Sequence, residues 1–304
     1  MGSYVLKRVL LAIFSLFIII TITFFAMHAV PGGPFEKEKA PSPEVKKMLN
    51  ERFNLDKPVG EQFLIYLRNI IFKGDFGISL KTGREIRDII HESFAVSGKI
   101  GLGAVITALI FGLLFGIIAA MARNTWLDRL IIFFTTLLVS VPSFVLATLL
   151  LLTFSQYLDW FPVWSPENPN LVLPIASLAM YPMAYITRLT KSSLLDVLNQ
   201  DYIRTARAKG VAKAVVVGKH ALRNGILPVI TYLGPLTAST LTGSLVIEKV
   251  FTVGGLGKQF VNAIDKSDYS VIMAMTIFLA FLMVTMNLIS DLCYKVVDPR
   301  IQFD

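Results

Sequence analysis

The sequence predicts an all-α, polytopic membrane protein with six transmembrane helices and a small helical cap on its outer face. Three observations carry that prediction. The 304-residue chain is 54% hydrophobic and only 16% charged, whereas a soluble domain has about 25% charged residues. The charges cluster between long uncharged runs. Those runs lack the two-residue alternation of a membrane β-barrel, and backbone groups in lipid must pair within a helix or a closed barrel.

The first run is Val9–Val30, long enough for a hydrocarbon core that needs about 20 helical residues. Lys7 and Arg8 precede it, as they would in a signal peptide. Its apolar part exceeds the usual signal core of about 7–15 residues, and no A-x-A cleavage pattern follows. It reads as a retained anchor. The second run is Ile100–Ala122 and the third Leu130–Leu158. The fourth, Leu171–Thr187, is short and contains Pro174 and Pro182; the fifth, Gly225–Ile247, contains Pro228 and Pro235. The sixth is Tyr269–Ser290. Prolines interrupt helical hydrogen bonding, which is tolerated at membrane depth beside protein or a water-filled path. The fourth and fifth runs therefore hint at a pathway, with ordinary kinks as the alternative. Gly112 and Gly116 form G-x-x-x-G in the second run. Such small residues let helices approach closely, here read as packing within the bundle, with specific dimerisation as the alternative.

The loops predict the orientation. Lys7 and Arg8, then Arg123 and Arg129, then the tail residues Lys295 and Arg300 fall on one side of a six-span chain. So does the segment between the fourth and fifth runs, with Arg188, Lys191, Arg204, Arg207, Lys209 and Lys213 among its cations against Asp196 and Asp201. The loop Tyr157–Asn170 has no Lys or Arg. Both termini are expected in the cytoplasm. This bias accounts for the net charge of +8 through lipid, without nucleic acid.

The expected organisation is residues 1–30 for the N-terminus and first span and 31–95 for an outer helical segment. Residues 96–294 form the membrane core, with a cytoplasmic loop at 188–224, and 295–304 a cytoplasmic tail. In the outer segment, Ser42-Pro43-Glu44 starts a helix with Val45, Met48 and Leu49 on one face. Phe63, Leu64, Leu67, Ile70 and Ile71 form a second stripe ending near Gly74, and Ile86, Ile89, Ile90 and Phe94 a third.

Several chemistries are missing. Around Gly257-Lys258-Gln259 the phosphate-loop pattern fails, because Gln replaces Ser or Thr and Thr252 stands where the first Gly belongs. His28, His91 and His220 are scattered, and no G-x-S-x-G occurs. The single Cys293 allows no internal disulfide. These absences disfavour a membrane enzyme. No uncharged run holds a carboxylate, the usual mark of an ion-coupled pump. An ion-coupled secondary transporter remains the rival class, and any ATP energy source is expected outside this chain.

The cytoplasmic loop Arg188–Asn224 is too long to be a simple connection. Leu194, Leu198, Tyr202 and Ala206 recur at helical spacing. The pattern stops at Ala208-Lys209-Gly210, where glycine can take the left-handed conformation that ends a helix. A second pattern, Val215 to Leu222, leads into Ile226-Leu227-Pro228. The loop is expected to be a helix, a sharp turn and a second helix, with small side chains that could enter a groove on another protein.

"YIRTARAKG" followed by "HALRNGILPVIT" resembles the EAA loop of the membrane-spanning subunits of ATP-driven importers, in the form used by their peptide and nickel branch. Against the general pattern, Arg204-Thr205-Ala206 occupies the E-A-A places, Gly225 replaces an Ile, and the spacer before Leu227-Pro228 is longer. "MGSYVLKRVLLAI", "HAVPGGPF", "GDFGISL", "NTWLDR", "VFTVGGLGKQFVNAIDKSDYSVI" and "VVDPRI" are similar to the first-type permease of that branch. The resemblance implies a type I ABC importer transmembrane fold. It also implies a second homologous permease, two ATPase subunits that hold ATP and magnesium, and an extracellular substrate-binding protein. Arg204, Thr205, Ala206, Arg207, Ala208 and Gly210 would couple to an ATPase, and Leu227 and Pro228 would join the loop to the next span. Oligopeptides or dipeptides are the implied cargo, with nickel or a chelated metal as the alternative.

Overall fold

Helices account for most of the described chain. The computed structural model describes residues 2–29 and 56–297, with side chains for 5–29 and 56–289. The expected helix start at Ser42, with Val45, Met48 and Leu49, lies outside the described residues, as do the side chains of Cys293 and Lys295 and all of Arg300. The helices are α1 Gly2–Ala29, α2 Val59–Lys73, α3 Ile86–Met121, α4 Trp126–Ser140, α5 Ser143–Leu150, α6 Val172–Leu198, α7 Asp201–Ala208, α8 Leu227–Leu241, α9 Leu245–Val250, α10 Leu256–Asp265 and α11 Tyr269–Val297. Among the described residues no strand forms beyond an isolated Ile78–Glu85 bridge.

Four helices are long and apolar enough to cross a membrane: Val5–Ala29, Ile86–Met121, Val172–Leu198 and Tyr269–Ile289. Two of the six runs fold otherwise than as simple spans. The third breaks at Val141-Pro142, where α4 and the helix continuing from α5 through the π-helix Leu151–Tyr157 meet at 106°. Proline cannot donate the next helical hydrogen bond. The fifth forms α8, 15 residues long or about 22 Å, then turns at Gly243 (φ 83°) into α9. The third outer stripe, from Ile86, is the beginning of α3 and not a separate cap helix.

The chain divides into two compact units. The first comprises residues 1–96 and 254–285. Its core packs Ile86, Ile89 and Ile90 against Leu256, Ala263, Val271 and Met275. Here α2 ends at Gly74 (φ 60°) and lays Phe63 on Phe24 of α1, with ring centroids 5.3 Å apart. The loop after α2 is tied to the start of α11 by Asp268, which is buried. Asp268 accepts from Ser79 Oγ at 2.5 Å and from the Leu80 N–H at 3.3 Å.

The second unit comprises residues 97–253 and the described residues from 286 onward. Its core is the contact of α3 with α6 and α8, centred on Ala104, Ala108, Ile186 and Val229. The glycines of α3 permit that contact. A Cβ at Gly112 would lie 2.7 Å from Ile186 Cγ2, and one at Gly116 would lie 2.5 Å from Thr190 Cβ and 2.8 Å from the Thr187 carbonyl. The G-x-x-x-G motif is therefore occupied by α6 of the same chain. Glu248 of α9, just beyond the fifth run, is a buried carboxylate that accepts from Ser97 Oγ at 2.6 Å.

Candidate functional site

The loop at 188–224 begins as a continuation of α6. The helix does not run from Leu194 to Gly210 as expected; it stops at Leu198, and Asn199 and Gln200 separate it from α7. The break shifts the buried face. Tyr202 is exposed, and its hydroxyl accepts from Asn224 Nδ2 at 2.9 Å. Ile203 is instead the fully buried residue of α7. It packs with Leu194 of α6, Ala120 of α3 and Val216, Val217 and Ala221 of the returning segment. Burying one such side chain contributes about 1.5–3 kcal/mol. Periodicity taken across the break pointed to the wrong register.

α7 closes with a complete glycine cap. The Gly210 N–H donates to the Arg207 carbonyl at 3.0 Å, and the Val211 N–H to the Ala206 carbonyl at 3.3 Å. Gly210 has φ 75°, the left-handed conformation this cap requires. Val211 and Ala206 both pack on the Ile203 cluster. The chain then returns through Lys213–Val215, the π-helix Val216–Ala221 and Leu222–Gly225. Pro228 falls in the first turn of α8, where its missing N–H costs no helical bond. Leu227 beside it is half-buried. Gly225 is buried because Leu194 lies against it, 3.3 Å from where a Cβ would stand.

The candidate docking residues divide into two faces. Arg204, Thr205, Arg207, Ala208 and Gly210 are exposed; Ala206 is half-buried. Arg204 meets Asp201 at 3.5 Å with both side chains largely in solvent, a pair worth little. Thr205 Oγ1 donates to the Asp201 carbonyl at 3.0 Å. α7 thus presents a short basic surface while its opposite face is anchored in the α3–α6 core.

One contact of this loop was not anticipated. Lys191 Nζ of α6 lies 2.5 Å from Asp128 Oδ1 in the first turn of α4. The other carboxylate oxygen accepts from the Asn124 N–H at 3.0 Å, and Asn124 is left-handed (φ 66°). The lone acid in "NTWLDR" was its only trace in the sequence.

Residues 112–303 match the family described as "Binding-protein-dependent transport system inner membrane component". Residues 1–100 match the N-terminal family of such membrane components. The chain belongs to this permease family. The permease is 44% identical to the dipeptide transport system permease protein DppB of Bacillus subtilis, over 99% of this chain and 98% of that protein. It is 40% identical to the oligopeptide transport system permease protein OppB of Haemophilus influenzae, over the whole of both chains. Among solved structures, the MetNI methionine ABC transporter superposes with a TM-score of 0.60 at 15% identity, covering 70% of the permease and 97% of that chain. An amino acid ABC transporter gives 0.53 at 14% identity, covering 69% and 94%. At such identities the superpositions speak for the fold alone.

Proposed function

We propose that this permease forms one half of the membrane pathway of an ATP-driven importer of oligopeptides or dipeptides. The end-to-end similarity to DppB and OppB proteins carries the reading. The proposed assembly contains a second homologous permease, two cytoplasmic ATPases that hold ATP and magnesium, and an external substrate-binding protein. Both termini lie in the cytoplasm, and ATP hydrolysis belongs to the partners.

In this scheme Arg204, Thr205, Ala206, Arg207, Ala208 and Gly210 form the element that docks on an ATPase. The anchoring of Ile203 supports a mechanical role: force on the exposed face of α7 reaches α6 through Leu194 and α3 through Ala120 at once. The Leu227–Pro228 junction couples the returning segment to α8. Switching of the pathway requires that the ATPases contact α7 differently in their two nucleotide states.

The test is uptake by the assembled importer in proteoliposomes. With binding protein outside and ATP inside, labelled peptides should accumulate, and magnesium removal should stop them. Uptake by the permease alone under an ion gradient would contradict the proposal. Uptake of nickel but of no peptide would move it to the metal-carrying branch.

A further inference from the structure

The second unit holds a cavity of about 530 Å³ bordered by residues of the third, fourth and fifth runs. Two interrupted helices and the proline-containing α6 meet there. The α4–α5 elbow contributes Ser140 to Ser143, α6 contributes Ser177, Leu178, Tyr181 and Pro182, and the α8–α9 break contributes Gly243 and Ser244. No charged side chain among the described residues lines it. Irregular backbone within a membrane is tolerated where it borders an aqueous space.

Its lining is rich in acceptors. Each serine or threonine hydroxyl has one proton to donate. Ser177 spends it on the Leu173 carbonyl at 2.8 Å, and Ser239 and Thr240 spend theirs on the Leu236 carbonyl at 2.9 Å. Their oxygens keep only acceptor capacity. Two prolines add carbonyls. Pro142 and Pro182 stand four residues after Leu138 and Leu178, whose carbonyls therefore lack their helical donors; both residues line the cavity. The C-terminal ends of α4 and α8 also face this region through Ser140 and Gly243, and such ends favour cations. At the start of α5 the Val145 and Leu146 N–H groups donate to the Pro142 carbonyl at 3.0 and 3.3 Å. Tyr181 and Tyr232 complete the walls, and aromatic faces attract ammonium groups.

We infer that this cavity is a subsite for a protonated amine, held by hydroxyl and carbonyl oxygens and tyrosine rings. The inference rests on the peptide-import reading for its occupant, the α-ammonium end of a transported peptide. With no fixed carboxylate to trap it, the ammonium would be attracted and then released.

The assembled importer carrying Cys293→Ser and Ser239→Cys tests this with cationic and anionic methanethiosulfonates of equal size. Ser239 is exposed in the cavity wall. Rates are normalised to Tyr157→Cys in the same background, because Tyr157 is 90% exposed and does not line the cavity. The cationic reagent should react about tenfold faster at position 239. A free-amine tripeptide, added at saturation without binding protein, should slow labelling, whereas its N-acetylated form should not. Equal rates, faster anionic labelling, no labelling, or equal protection by both peptides would overturn the subsite. Cation preference without protection by any peptide would overturn the peptide as occupant. Absence of ATP-dependent peptide uptake by the unmodified importer would overturn only the functional reading. Should Ser239→Cys fail to assemble, Ser143→Cys places the probe on the opposite wall with the same outcomes.

Discussion

Lys191 of α6 and Asp128 of α4 form a charge-assisted hydrogen bond at 2.5 Å, with side chains 20% and 8% exposed. The pair fixes the start of α4 to α6 one turn before Leu194, the residue against which α7 packs. It therefore joins the loop after α3 to the helix on which α7 packs.

Removing one partner leaves a largely buried charge uncompensated, a severe loss when burial is complete and a smaller one with Lys191 partly in solvent. Lys191→Met should destabilise the permease by about 1–3 kcal/mol, read as a lower melting temperature in detergent. Combining it with Asp128→Asn should cost less than the sum of the single changes. Strict additivity would show that the pair contributes no coupling.

Gly116→Ala should weaken packing of α3 on α6 by about 1–3 kcal/mol, because its Cβ would meet Thr190 and the Thr187 carbonyl. Gly112→Ala should do the same against Ile186. Gly60→Ala is the contrast, since among the described residues nothing lies within 4 Å of a Cβ there. Thermal stability of the three variants checks this; equal values would contradict the assigned contact.

Much of this was legible because it depends on local composition. The long apolar runs, the end of α2 at Gly74 and the turn at Gly210 follow from hydropathy and glycine chemistry. Contacts distant in sequence were not legible. The G-x-x-x-G motif advertises close approach without saying to what. Asp128 and Lys191 looked like ordinary loop charges, and Glu248 sat at the edge of a run whose helix stops early. The register of α7 was misread because the break at Asn199-Gln200 carries no proline or glycine to announce it.

Asp268→Ala should loosen the loop at residues 75–85 by removing the acceptor of Ser79 Oγ and the Leu80 N–H. The expected cost is about 1–3 kcal/mol, seen as faster limited proteolysis within that loop. Ser79→Ala should act in the same direction but more weakly. An unchanged cleavage rate in Asp268→Ala would contradict the clamp.

Gly210 separates backbone strain from surface crowding. A Cβ there would meet nothing within 4 Å among the described residues, yet φ is 75°. Gly210→Asn, which tolerates this conformation, should keep assembly and uptake near normal. Gly210→Tyr should uncouple ATP hydrolysis from uptake or prevent ATPase binding. Normal uptake by Gly210→Tyr would remove the turn from the docking element.

The central claim is that the exposed face of α7 meets an ATPase. It is tested most directly by placing the photo-crosslinker p-benzoyl-phenylalanine at Thr205 in the assembled importer, with Tyr157 as the control position. An adduct between the permease and an ATPase subunit is expected from position 205, changed in yield by ATP, and none from position 157. No ATPase adduct from position 205, in a complex that still hydrolyses ATP and imports peptide, would contradict it.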